Sequence, residues 1–145
     1  MNHYIHYGHK TFDKIRFCPV KNREGFTKPV GGLWASKINA QYGWKAWCED
    51  NNYGECVDDN SFEFTLSDNT RVLTINNNKE LENLPKADSI FKLSFCTFLD
   101  FEKLELDYDA IEINISSDYS GLYFSLYGWD CDSILVMNPD IIQII

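Results

Sequence analysis

The stretch Phe62-Glu63-Phe64-Thr65-Leu66-Ser67-Asp68-Asn69-Thr70-Arg71-Val72-Leu73-Thr74-Ile75 decides the fold class. On both sides of Ser67-Asp68-Asn69-Thr70, apolar and polar residues alternate, the period of a strand with one buried face. The polar link is rich in turn formers, so the two strands are expected to pair as a hairpin. Working outward, Tyr4 to Gly8 reads as a short strand of aromatic and β-branched residues ended by glycine. Leu33-Trp34-Ala35-Ser36 reads as another, ending at a helix cap. Later strands are expected over Ala110 to Ile115, Leu122 to Leu126 and Ser133 to Met137.

Helices fall between these strands. Ala40 to Asp50 places Trp44, Trp47 and Cys48 on one face at i, i+3 and i+4, the spacing of a core-facing helix. A short helix is expected after Asn76-Asn77-Asn78, with Pro85 closing it beyond Leu84. Phe101 to Leu106 gives one or two more turns. Ser89 to Phe98 is strongly apolar and fits either type. Strands and helices interleave without a regular βαβ period. The expectation is therefore one α+β domain over residues 1–145, with a mixed, mostly antiparallel sheet and a few short helices.

Composition narrows the function classes. Twenty-two acidic residues against 13 basic ones give a net charge of −9. That field repels phosphate backbones and anionic bilayers, so general nucleic-acid or membrane binding is not expected. No apolar run reaches the roughly 18 residues of a membrane helix, and Met1 to His6 has no signal-peptide pattern. The five cysteines, Cys18, Cys48, Cys56, Cys96 and Cys131, form no CxxC pair. Free thiols in a reducing, cytoplasmic setting are expected, with no metal site and no disulfide.

Motifs for a serine hydrolase elbow, a P-loop, a zincin helix, a dinucleotide fold and an EF-hand are absent. Three places could carry chemistry. In His6-Tyr7-Gly8, a histidine beside a strand-ending glycine could bond ligand hydroxyls, with packing as a half-buried polar group the alternative. In Lys28-Pro29-Val30-Gly31-Gly32-Leu33-Trp34-Ala35-Ser36, paired glycines precede a large flat ring on which a planar ligand could stack. Core packing by Trp34 is the alternative there. Among the late acids Asp107, Asp109, Glu112, Asp130 and Asp132, a carboxylate at a strand edge near an aromatic could accept ribose hydroxyls or act as a base, although Asp and Gly also simply form turns.

These segments resemble two groups of proteins. KPxGGLWxS before a WxxWC helix, with Tyr108-Asp109-Ala110-Ile111-Glu112 and a late Trp129-Asp130, resembles a family of small uncharacterised bacterial and phage proteins. More distantly, the order of features is similar to compact ADP-ribosyltransferase domains. There His6 and Gly8 would match the first-strand His-Gly, Gly32, Trp34 and Ser36 the Gly-aromatic-small strand, and Glu112 or Asp132 the acid. Three departures stand out. Tyr7 separates His6 from Gly8, Trp34 replaces a tyrosine, and Asp132 stands for a glutamate.

The resemblance implies that His6, Tyr7, Gly8, Gly32, Trp34 and Ser36 bind NAD or a related nucleotide. It implies further that Glu112 or Asp132 supports transfer of ADP-ribose to a macromolecule. The rival expectation is a non-enzymatic acidic protein, of phage or toxin-system type, that binds a basic protein partner.

Overall fold

The computed structural model describes residues 1–89 and 95–145. Its strands are β1 (Tyr4–Tyr7), β2 (Leu33–Lys37), β3 (Ser61–Leu66), β4 (Val72–Ile75), β5 (Ala110–Ile113), β6 (Ser133–Val136) and β7 (Ile142–Ile144). They form one sheet in the order β4-β5-β6-β2-β1-β3-β7. β4 and β5 run parallel, and the other pairings are antiparallel. Three short helices complete it: α1 (Trp44–Asp50), α2 (Phe101–Asp107) and α3 (Tyr119–Ser125). The class is α+β with a mixed, mostly antiparallel sheet, as the interleaved pattern implied.

The hairpin expected from residues 62–75 does not form. β3 pairs with β1 and β7, while β4 pairs with β5. Alternation fixes which face of a strand is buried, not which strand lies beside it. The consequence is a curled sheet. Five inter-strand steps separate β4 from β3, about 24 Å if flat, whereas Leu66 to Val72 spans at most about 20 Å of chain. The two ends must bend toward one another, and Leu66 and Val72 duly pack in the same apolar cluster.

Alternation then sorts the side chains into two layers. Tyr4, Ala35, Phe64, Ala110, Ile134 and Val136 fill the inside of the curl. Trp34, Ile75, Ile111, Ile113 and Leu135 point outward, beneath Leu104 of α2, Leu122 of α3 and the fully buried Trp129.

Other boundaries differ from expectation for local reasons. Residues 122–126 belong to α3 and its C-terminal end, not a strand. Asp118 caps that helix by accepting from Gly121 N, and Leu122 and Leu126, four apart, are fully buried while Phe124 is exposed. A period of two would have buried Phe124. Helix α1 begins at Trp44 rather than Ala40, because Trp44 N donates to Ser36 Oγ at 3.0 Å. Within it Cys48 is buried, and Trp44 and Trp47 are half-buried and meet edge-to-face at 5.7 Å. Part of the ambiguous stretch from Ser89 to Phe98 lies outside the described residues.

The cysteine expectation needs correction. Cys48 and Cys56 form a disulfide with a Cα–Cα distance of 6.3 Å, which ties the end of α1 to the loop that follows. Two of the five thiols on which the reducing setting rested are therefore paired. Among the described residues, no helix is long and apolar enough to cross a membrane. Nor does any group of three or more His, Cys, Asp or Glu stand where a metal could be held.

Candidate functional site

The strands that carry the motif segments are neighbours, in the order β6-β2-β1. His6 Nδ1 lies 2.7 Å from the carbonyl oxygen of Trp34, and its Nε2 lies 2.9 Å from His9 Nδ1. A carbonyl only accepts, so the proton sits on Nδ1, and Nε2 accepts from His9. Both ring nitrogens are thus occupied. Burial, the largest cause, moves the imidazole below its ordinary range, against the opposing pull of the Trp34 carbonyl. The ring also packs on Phe62 at 5.0 Å.

Trp34 points to the other face of the sheet. Its ring meets Trp129 at 4.8 Å and 60°. The Lys28 ammonium lies 5.3 Å from its centroid and 4.8 Å from that of Trp44, a cation held between two indoles. Ser36 is buried as well. Its hydroxyl donates to the Asp132 carbonyl at 2.8 Å while accepting from Trp44 N. Gly32 N donates to Cys18 O at 2.8 Å. A Cβ on Gly32 would overlap Leu135 Cδ1, so this glycine admits β6 and Leu135 rather than a ligand ring. Tyr7 lines a cavity of about 510 Å³ with Ser36, Lys45 and Asp58. Gly8, at φ +118°, closes β1 by donating to Asn60 O.

The two candidate acids each accept three bonds and differ in where they sit. The Asp132 carboxylate accepts from Ser116 N at 2.8 Å, Ser116 Oγ at 2.6 Å and Tyr42 N at 3.1 Å. It clamps two loops and does not line the cleft described below. Glu112 sits on the inner face of β5, only 4% exposed. Tyr4 donates to its Oε2 at 2.9 Å, Lys37 pairs with its Oε1, and Asn114 Nδ2 donates to the same Oε1 at 3.5 Å. Burial, followed by the neighbouring Glu112 charge, pushes the Tyr4 phenol well above its ordinary range, so it stays a donor.

Glu112, Tyr4 and Lys37 border a cleft of about 730 Å³, roofed by the β3–β4 link. Asn2, Ser67, Asn69, Thr70, Asn76 and Asn114 add amides and hydroxyls to its walls. Such a wall suits a ligand rich in hydroxyls, since each group can donate or accept. Cys131 offers no competing nucleophile: it is buried, and burial pushes its thiol up to about 12.

The expected site therefore divides in two. The fold brings His6 to Trp34's carbonyl, and Ser36 to Asp132. It does not bring the Trp34 ring and Glu112 into one cleft, because they lie on opposite faces of the sheet. Tyr4 and Lys37 were not anticipated. Alternation already put Tyr4 on the face of His6, but no local signal links Lys37 to an acid 75 positions away. Compared with protein-family models, with curated proteins and with solved structures, the chain matches none.

Proposed function

We propose that the cleft floored by Glu112 binds a ribose-bearing nucleotide, with NAD as its ligand, and that Glu112 supplies the carboxylate for ADP-ribosyl transfer. One observation carries this reading. Glu112 is a buried carboxylate held by Tyr4 and Lys37 at the floor of a large polar cleft, while Asp132 is committed to loop contacts. Breaking the nicotinamide–ribose bond builds positive charge on the sugar. A fixed carboxylate in a partly dry cleft stabilises that charge better than bulk water does.

Tyr4 and Lys37 would orient the carboxylate. Asn114 Nδ2 donates to Asn76 Oδ1 at 2.7 Å, which leaves the Asn76 amino group and the Asn114 carbonyl for ribose hydroxyls. Stacking of nicotinamide on Trp34 is not part of this reading, because that ring lies on the far face.

Calorimetric titration of the folded chain with NAD tests the proposal, with Glu112→Gln and Lys37→Met beside the wild type. Glu112→Gln should keep the fold and lose NAD cleavage. No binding by the wild type at millimolar NAD would overturn the assignment. Binding without cleavage would leave a nucleotide-binding domain and remove the transferase step.

A further inference from the structure

We infer that the outer face of α3 docks a cationic segment of another protein, with arginine or lysine side chains laid across a row of tyrosines. Tyr119 and Tyr123, four apart, share one side of α3, and Tyr127 follows in the turn beyond its C-cap Leu126. Tyr119 and Tyr123 stack at 4.9 Å, and Tyr123 meets Tyr127 at 5.8 Å. Phe124 meets Tyr123 edge-on at 5.7 Å. Tyr123 is half-buried against the outer core cluster, but burial does not account for its neighbours: Tyr119, Phe124 and Tyr127 are 56%, 57% and 60% exposed. Scattered exposed apolar residues need no explanation, but contiguous exposed rings mark contact surfaces, and tyrosine is enriched at them.

Charge chooses the occupant. From Leu104 to Ile145 there is no Lys or Arg, against eight acidic residues: Glu105, Asp107, Asp109, Glu112, Asp118, Asp130, Asp132 and Asp140. Asp109, Glu112 and Asp140 pair with Arg71, Lys37 and Lys14, Asp107 also acts on Arg71, and Asp130 acts on Lys28, whose ammonium is held between Trp34 and Trp44. Asp130 acts on the Tyr123 phenol, and Asp50 accepts from Tyr42, which feels Tyr119. The row thus lies in a negative field. A guanidinium can stack on a phenol ring and pair with a carboxylate beside it. A second copy of this chain would instead set acid against acid. Nucleic acid and anionic lipid are repelled for the same reason. This inference is independent of the Glu112 cleft, which lies on the opposite face of the sheet.

The test uses the full isotope-labelled chain and a short peptide alternating Arg and Gly, followed by amide shifts, with a Glu–Gly peptide as control. Shifts should centre on residues 118–130, and affinity should fall as salt rises. Tyr119→Ala with Tyr127→Ala should weaken binding about fivefold or more, as expected for lost cation–π contacts. Asp130→Asn should weaken it more than the charge-matched Asp59→Asn, in the turn leading into β3. Absence of binding, shifts centred elsewhere, or equal losses for Asp130→Asn and Asp59→Asn would each overturn the inference. The last result would mean general acidic attraction only. Shifts on α3 that appear on raising protein concentration without peptide would assign the face to self-association instead.

Discussion

His6 and Trp34 are joined side chain to backbone: the imidazole Nδ1–H donates to the Trp34 carbonyl at 2.7 Å across the β1–β2 boundary. Its other nitrogen accepts from His9. Protonating His6 would put a second donor against His9 Nδ1 and place a charge in a largely buried site.

The pH dependence follows from that direction. Burial lowers the folded-state value of His6 below its unfolded one. Neutral His6 therefore contributes stability that is fully present above the ordinary histidine value near 6.5 and lost as pH falls toward the folded value. His6 should titrate below free histidine by NMR. Replacing it with Gln should flatten the stability–pH curve across that window.

Asp109 should govern acid stability lower on the scale. Its carboxylate accepts from Arg71 N and both ends of the Arg71 guanidinium, and from Asn138 at 3.0 Å. The Arg71 bonds, more than any other cause, hold it well below the usual carboxylate range. A depressed carboxylate contributes stability that is complete above its unfolded value and withdrawn as pH falls toward the folded one. Asp109→Asn should lower stability at neutral pH by urea denaturation, since it removes the charged acceptor that holds the Arg71 guanidinium and the Arg71 N–H at the β4 entry. It should also remove the stability lost by the wild type in acid.

Gly31 and Gly32 should tolerate no side chain. Their φ values are +81° and +70°. A Cβ on Gly31 would overlap the Pro19 carbonyl oxygen, and one on Gly32 would lie 2.9 Å from Val136 O. Gly32→Ala should lower stability by about 2–4 kcal/mol, combining left-handed strain with overpacking against β6. Thermal melts of both alanine variants check this. A small change in either would show that the β2 entrance yields more easily than its contacts imply.

The Cys48–Cys56 bond closes a short loop after α1. Loop-closure entropy assigns such a bond about 2–3 kcal/mol. Reduction should lower the melting temperature, and the oxidised protein, once denatured, should titrate three thiols, from Cys18, Cys96 and Cys131. Five thiols without a reductant would mean the bond does not form in solution.

The sequence by itself determined which residues share a face. Alternation put Tyr4 with His6, and Leu122 and Leu126, four apart, carry the spacing of α3 within a run that also fits a strand's two-residue pattern. Local chemistry also marked the Asn76-Asn77-Asn78 stretch, where Asn77 caps a short 3-10 helix by accepting from Glu80 N, and the glycine pair before β2. What only the tertiary structure decided is which faces meet. Tyr4 reaches Glu112 across 108 positions, and Lys37 reaches it across 75. Both contacts depend on strand order, register and the curl that draws β3 toward β4. The same alternating pattern fits a hairpin or two distant strands equally well, because hydrophobic burial has a face but no address. Asp132 and Glu112 looked interchangeable as acids in the sequence. Folding made one a loop clamp and the other the floor of a cleft, through donors that long-range packing brought to each.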